Sequence, residues 1–168
     1  GVERLVHISA IGANTNSESI SARTKGEGEK SVLKAFPTAV ILRPSIVFGV
    51  EDGFFNRFAA MSRISPVLPL IGADTSFQPV YVDDVALAAS SAALGEVPNG
   101  IYELGGPDIE TFRKLIERML KVVRRKKMII NQPMIAAKIL SYNLDMLQII
   151  SFNIFKNFII TRDQVKQL

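Results

Sequence analysis

The chain contains no cysteine and a single histidine, His7. Without cysteine, disulfides, thiolate catalysis, iron–sulfur clusters and cysteine–zinc sites are excluded. With one imidazole, any site that needs two or three is excluded as well. No run of about 18 uncharged apolar residues occurs, so the sequence predicts no spanning helix. The first residue is Gly1, and no basic segment or cleavage site follows it, so the start does not read as a signal peptide. The expectation is a piece of a longer polypeptide, entered in mid-fold.

What is present is ordinary for a packed domain. Of 168 residues, 48% are apolar and 21% charged, with 20 Lys and Arg against 16 Asp and Glu. That balance excludes a disordered chain. Residues 4–9 are an apolar strand candidate, followed by a polar loop at 14–17. A helix is expected from about Ser21 to Phe36, with Ala22, Gly26 and Glu29 on a small face and Pro37 ending it. Ala39 to Leu42 is apolar on both faces, as a buried parallel strand is, and Arg43-Pro44 is expected to stop it. Helix is expected again over Phe54–Met61, then a loop with a short strand over 64–74, and a strand over Phe77–Val82. Asp83 and Asp84 stand where they would cap an alanine-rich helix to Leu94. Ile101 to Leu104 reads as strand. Phe112, Leu115, Ile116, Met119, Leu120 and Val123 fall at helical spacing and predict an amphipathic helix over 112–124. Met128 to Ile130 is a further short strand. An apolar stretch from Pro133 to Ile160 and a capped helix from Thr161 complete the reading.

Strands and helices alternate from 4 to 104, which predicts an α/β fold with a mostly parallel sheet. Residues 1–104 are taken as one part, and residues 105–168 as a smaller, mainly helical lobe. Two residues stand out within this layout. Ser9 lies at the carboxyl end of the first strand, the edge where open α/β sheets bind ligands; its hydroxyl serves either a ligand or the loop backbone. Lys25 sits one turn into a helix of small residues. It is either a solvated lysine or a donor to a sugar hydroxyl at the sheet edge, able to lower the pKa of a phenol four positions earlier.

Four blocks then carry a resemblance: Arg4-Leu-Val-His-Ile-Ser-Ala-Ile-Gly12, Ala22-Arg-Thr-Lys-Gly-Glu-Gly-Glu29, Ile41-Leu-Arg-Pro-Ser-Ile-Val-Phe-Gly49 and Gln78-Pro-Val-Tyr-Val-Asp-Asp-Val-Ala86. In this order and spacing they resemble the C-terminal half of an extended or atypical short-chain dehydrogenase/reductase. More narrowly, they resemble the NAD(P)H-binding accessory subunits of respiratory complex I and their bacterial relatives, and Thr161 to Lys166 is similar to the closing segment of that branch. The resemblance implies a Rossmann-type sheet with NAD or NADP at its edge. It implies that Ser9 borders the nicotinamide half and that Lys25 holds the nicotinamide ribose. It further implies that Pro44, Ser45, Ile46 and Val47 line the nicotinamide pocket, largely through backbone atoms, and that Asp83 and Asp84 anchor a helix beside the substrate cleft.

Two features depart from the family pattern. Its catalytic signature is Tyr-x-x-x-Lys, and four residues before Lys25 stands Ser21. An aliphatic hydroxyl is a far weaker acid than a phenol, whose pKa starts near 10, and is a poor proton donor at neutral pH. Lys25 is thus the one member of that signature in place. The glycine-rich dinucleotide fingerprint is also absent from the chain: Gly26 and Gly28 lie within a helix, and Gly105-Gly106 lacks the G-x-G-x-x-G spacing.

Between Arg113 and Lys127, eight cations face one acid, Glu117. This basic segment is read as a solvated face, or as a contact with respiratory complex I or an anionic membrane surface. No aromatic platform accompanies it, so nucleic acid is not expected. The leading expectation is a non-catalytic, nucleotide-binding accessory or assembly protein. By the same resemblance it belongs on the cytoplasmic side of a bacterial inner membrane or in the mitochondrial matrix. The competing expectations are an epimerase, dehydratase or reductase acting on a nucleotide sugar, and a split-gene remnant without activity.

Overall fold

A computed structural model describes residues 1–132. The apolar stretch from Pro133 and the helix expected from Thr161 lie outside the described residues. The fold is α/β, as expected. The first half runs β1 (Val6–Ile8), α1 (Ile20–Ala35), β2 (Val40–Pro44), β3 (Val47–Phe48), α2 (Phe55–Ile64) and β4 (Val67–Ile71). It continues through β5 (Ser76–Phe77), β6 (Val80–Tyr81), α3 (Val82–Leu94), β7 (Gly100–Leu104), β8 (Glu110–Thr111), α4 (Phe112–Val122) and β9 (Met128–Gln132). A parallel sheet of order β1-β2-β7 is accompanied by three two-stranded ladders: β3-β6 and β4-β9, both parallel, and β5-β8, antiparallel.

The period-two rule explains why β2 is buried throughout. Val40 and Leu42 pack on Ala88, Ala89 and Ala92 of α3. Ile41, fully buried, and Arg43 point to the other face, where Arg43 meets Glu29 of α1. α1 starts at the Ser19 cap, whose buried hydroxyl accepts from the Ala22 N–H at 3.3 Å. The small face of α1 lets the loop after β1 lie directly on the helix. A Cβ on Gly26 would stand 2.6 Å from the Thr15 nitrogen and 2.7 Å from the Asn14 carbonyl carbon.

A second core gathers Phe58, Leu68, Leu70, Phe112, Ile116 and Leu120, with Phe54 and Phe77 packed against it. It draws on α2 and β4 as well as α4, so the segment beyond residue 105 packs on elements from both sides of that position. The rings of Phe54, Phe58, Phe77 and Phe112 meet at centroid distances of 5.4 to 6.4 Å, mostly edge to face, a geometry worth about 0.5–1.5 kcal/mol per pair beyond burial.

Several local expectations are corrected. β2 is not stopped by Arg43-Pro44 but runs through both. Proline takes the last place of the strand, and its carbonyl still accepts from Ile11 at 3.1 Å, so the missing N–H breaks no ladder. The single strand expected over Phe77–Val82 is split at Gln78-Pro79 into β5 and β6, which belong to different ladders. Asp83 and Asp84 do not cap α3. Tyr81 holds the cap position, and the two carboxylates lie inside the first turn, where the exposed N–H groups favour negative charge. α4 ends at Val122, short of 124, while β9 extends two residues past Ile130.

The end of α4 is unusual. Arg124 takes φ 53, the left-handed region. Its N–H donates to the Lys121 carbonyl at 3.1 Å, and that of Arg125 donates to Leu120 at 2.9 Å. This is the turn that glycine normally makes, and Gly95 makes it after α3 with φ 82. An arginine here bears the left-handed strain of about 1 kcal/mol. Arg124→Gly should therefore raise stability by up to about 1 kcal/mol, a melting midpoint higher by roughly 2–4 °C; an unchanged or lower midpoint would contradict the strain. Gly26→Ala should do the reverse. Alanine normally gains about 1 kcal/mol over glycine inside a helix, but here its methyl meets backbone, and thermal melting should show a loss of about 1–3 kcal/mol.

Candidate functional site

The three strands of the central sheet run parallel, so β1, β2 and β7 end at one edge. The chain leaves β1 at that edge, and α1 begins there. Ser9 is the first residue past β1. Its N–H extends the ladder to the Leu42 carbonyl at 2.7 Å. Its side chain is buried, and the hydroxyl has no hydrogen-bond partner of ordinary geometry among the described residues. A buried orphan hydroxyl is costly unless something supplies a partner.

Beside it lies a two-bonded ion pair that the sequence reading missed. Arg43 grips Glu29 with two bonds, Nε to Oε1 at 2.9 Å and Nη2 to Oε2 at 2.7 Å. Glu29 is only 4% exposed. The Arg43 guanidinium holds the Glu29 carboxyl below its ordinary value against the opposing effect of burial, with the nearby Ser9 hydroxyl assisting. The pairing raises Arg43 in turn. Arg43 also reaches the Ala13 carbonyl at 3.4 Å and Glu103 at 3.6 Å, linking α1, β2, β7 and the loop after β1. The available signal was a carboxylate on the small, inward face of α1, which demands a cationic partner.

Ser21, Lys25 and Glu29 succeed one another at intervals of four and share one side of α1. Lys25 is half-buried and carries no ion pair among the described residues. Residues 44–47 follow the carboxyl end of β2. Pro44 is buried, and Ser45, Ile46 and Val47 are half-buried. Three of their backbone groups are used inside the fold: Pro44 O accepts from Ile11, Ser45 N donates to Leu104, and Ile46 O accepts from Val80. Gly105 and Gly106 are no phosphate cradle. The Gln78 side chain and the Pro79 carbonyl fill the spaces their Cβ atoms would occupy. Tyr81 is pushed above its ordinary value, chiefly by its hydrogen bond to Asp83, and Tyr102 donates to the Pro98 carbonyl at 2.8 Å.

A pocket of about 580 Å³ has Phe48, Phe55, Pro79, Pro107 and Met119 among its walls, and none of residues 44–47 lines it. Its polar groups are Asn56, Asp108, Glu110 and Arg118, and Arg118 bridges Glu110 at 3.0 Å and Asp108 at 3.7 Å. Ser9 and Lys25 do not line it. Among the described residues no group of three or more His, Asp or Glu is placed to hold a metal, and no described helix is long and apolar enough to cross a membrane.

No protein-family model matches the chain. Among curated proteins it is 38% identical over 173 aligned positions to the mitochondrial NADH dehydrogenase (ubiquinone) 1 alpha subcomplex subunit 9 of Arabidopsis thaliana, covering 100% of this chain and 43% of the relative. The mouse protein of that name is 49% identical over 88 residues, 51% of this chain and 23% of the relative. Over the aligned length the chain is similar to these complex I subunits. It spans less than half the length of either relative. Solved structures agree on the fold. A dTDP-4-dehydrorhamnose reductase of Bacillus anthracis in complex with NADP superposes with TM-score 0.65 at 15% identity, over 77% of this chain and 50% of that one. A UDP-glucose 4-epimerase of Thermus thermophilus in complex with NAD superposes with TM-score 0.58 at 20% identity, over 79% of this chain and 52% of that one. The layout is thus that of the extended short-chain dehydrogenase/reductase fold.

The Glu29–Arg43 pair sets an acid limit. Glu29 titrates lower in the folded than in the unfolded chain, so its contribution is complete above the ordinary value of 4.5 and vanishes as pH falls through the lowered folded value. Arg43→Met should cost about 3–5 kcal/mol at neutral pH by stranding a buried carboxylate. It should also reverse the sign of that pH dependence, since the stranded acid prefers to be neutral. Urea unfolding from neutral pH to about pH 3 reads both; a variant with the wild-type acid profile would refute the pairing. Adding Glu29→Gln should recover most of the loss.

Proposed function

We propose that the chain supplies the nicotinamide side of a dinucleotide site in an accessory subunit of respiratory complex I, and that this subunit holds NAD or NADP without turning it over. The observation that carries this reading is the α1 register: Lys25 has no ion pair among the described residues, and Ser21 stands four positions before it, where the signature has its acid. A ribose offers hydroxyls that both donate and accept, which fits an ammonium without an ion pair among the described residues and a buried serine hydroxyl on the neighbouring element. In this assignment Ser9 and Lys25 face the ribose. Pro44, Ser45, Ile46 and Val47 wall the nicotinamide through side chains and through the backbone groups not already bonded. Residues 1–104 form the cofactor half, and residues 105–168 form the smaller lobe, whose described portion packs on α2 and β4.

The partner in this reading is complex I, met through the basic segment 113–127 at the membrane; the relatives' names give a mitochondrial location, and the matrix side is part of the proposal. The alternative, a reductase or epimerase, draws on Lys25 and on the enzymes that share the fold; it needs a proton donor that Ser21 does not provide.

Titration of the 168-residue chain with NADPH should give a dissociation constant weaker than about 100 μM. The ribose contact alone is worth only ~1–3 kcal/mol, too little to offset the immobilisation of a dinucleotide. A chimaera joining the N-terminal part of the Arabidopsis relative to this chain should bind far more tightly, and Lys25→Ala should weaken that binding by about tenfold or more. The chimaera should not oxidise NADPH with carbonyl substrates. Carbonyl reduction at ordinary enzymatic rates with Ser21 in place would overturn the non-catalytic reading, and unaltered affinity in Lys25→Ala would overturn the assignment of the ribose contact.

A further inference from the structure

The cations of the basic segment are not evenly spread. Five of them, Arg113, Lys121, Arg125, Lys126 and Lys127, line one open pocket of about 350 Å³ between α4 and β9, opposed only by Glu117. Its floor is apolar, made by Leu120 and Ile129. None of the five takes part in an ion pair among the described residues, whereas Arg118, on the same helix, is held by two acids.

The pocket is also built. After the left-handed turn at Arg124, Lys126, Lys127 and Ile129 of β9 line the same pocket as Leu120 and Lys121 from the last turn of α4. Arg125 is fixed from behind, its Nη1 donating to the Ala59 carbonyl at 2.9 Å and to the fully buried Ser62 hydroxyl at 2.8 Å. The carbonyl end of α4 favours a nearby cation, but it does not account for five around one cavity. Like charges held together without counter-charges raise the local potential and draw in an anion.

We propose that this pocket is a site for a phosphate group, carried by a lipid headgroup or by a small soluble molecule, with the apolar floor meeting the carbon skeleton next to the phosphate. It is a discrete site within the basic segment rather than a diffuse charged face. It makes no use of Ser9, Lys25 or the dinucleotide, so its failure leaves the accessory-subunit reading standing, and the converse holds.

The test compares two double variants of equal charge change. Lys121→Gln/Lys126→Gln removes two cations that line the pocket. Lys114→Gln/Arg124→Asn removes two cations of the same segment that do not line it; asparagine tolerates the left-handed turn. The probes are inorganic pyrophosphate, followed by calorimetry, and vesicles of phosphatidylcholine containing a quarter phosphatidic acid, followed by co-sedimentation. Wild type should bind at least one probe saturably. The pocket variant should bind roughly thirtyfold more weakly, each cation near an anionic surface contributing about a factor of five, while the other variant changes little. Binding of pyrophosphate identifies a soluble phosphate as sufficient, and binding of vesicles alone identifies the headgroup. Equal losses in the two variants, or no saturable binding of either probe by wild type, would overturn the proposal.

Discussion

The Glu29–Arg43 pair is the constraint on which the site depends. A carboxylate almost fully removed from water sits on the inward face of α1 and is tolerable only because a guanidinium from β2 matches both of its oxygens. That pairing fixes the rotation of α1 about its own axis. Once the rotation is set, Gly26 must lie against the loop at Asn14 and Thr15. The same guanidinium reaches the Ala13 carbonyl, so the loop, the helix and the strand that surround Ser9 share one anchor.

The second core works differently. It is held by aromatic rings and branched side chains, with Phe112 in contact with Phe54, Phe58 and Phe77. Its polar stitching is peripheral: Arg125 fastens the end of α4 to α2, and Gln78 donates to the Gly106 carbonyl at 2.6 Å. The Gln78 bond lies where β5, β6 and the turn after β7 converge, so it ties the carboxyl edge of the central sheet to the aromatic core. The larger pocket opens along that seam.

Much of this arrangement is legible in the sequence, and the reasons differ by element. α4 announces itself because its apolar residues repeat at helical spacing, and five of them are buried. β2 is legible because a strand with both faces covered is apolar throughout. Pro44 misleads because proline weakens a strand only where its N–H is needed, and at the last position it is not. Gln78-Pro79 cannot be placed from local pattern, since apolar residues on both sides belong to ladders closed by distant partners. At the site, Lys25 is legible from spacing and Ser21 from the resulting mismatch. The isolation of the Ser9 hydroxyl is not, because it depends on what Glu29 and Arg43 do with each other. The larger pocket is invisible for a similar reason: its walls come from positions between Phe48 and Val123.

The β4–β9 ladder bears on the order in which the chain can fold. It pairs Val67 with Met128, sixty-one positions later, in a parallel register. Leu68 and Leu70, fully buried in the finished fold, lie on the strand that must wait for this partner. During synthesis β4 therefore emerges long before β9 exists, and α3, β7 and α4 have time to form first. Closing so distant a pairing is slow relative to local helix formation. Until it closes, an apolar strand with an open edge is available to other chains. The interval between translation of residue 71 and residue 132 is thus the period in which this polypeptide most needs protection.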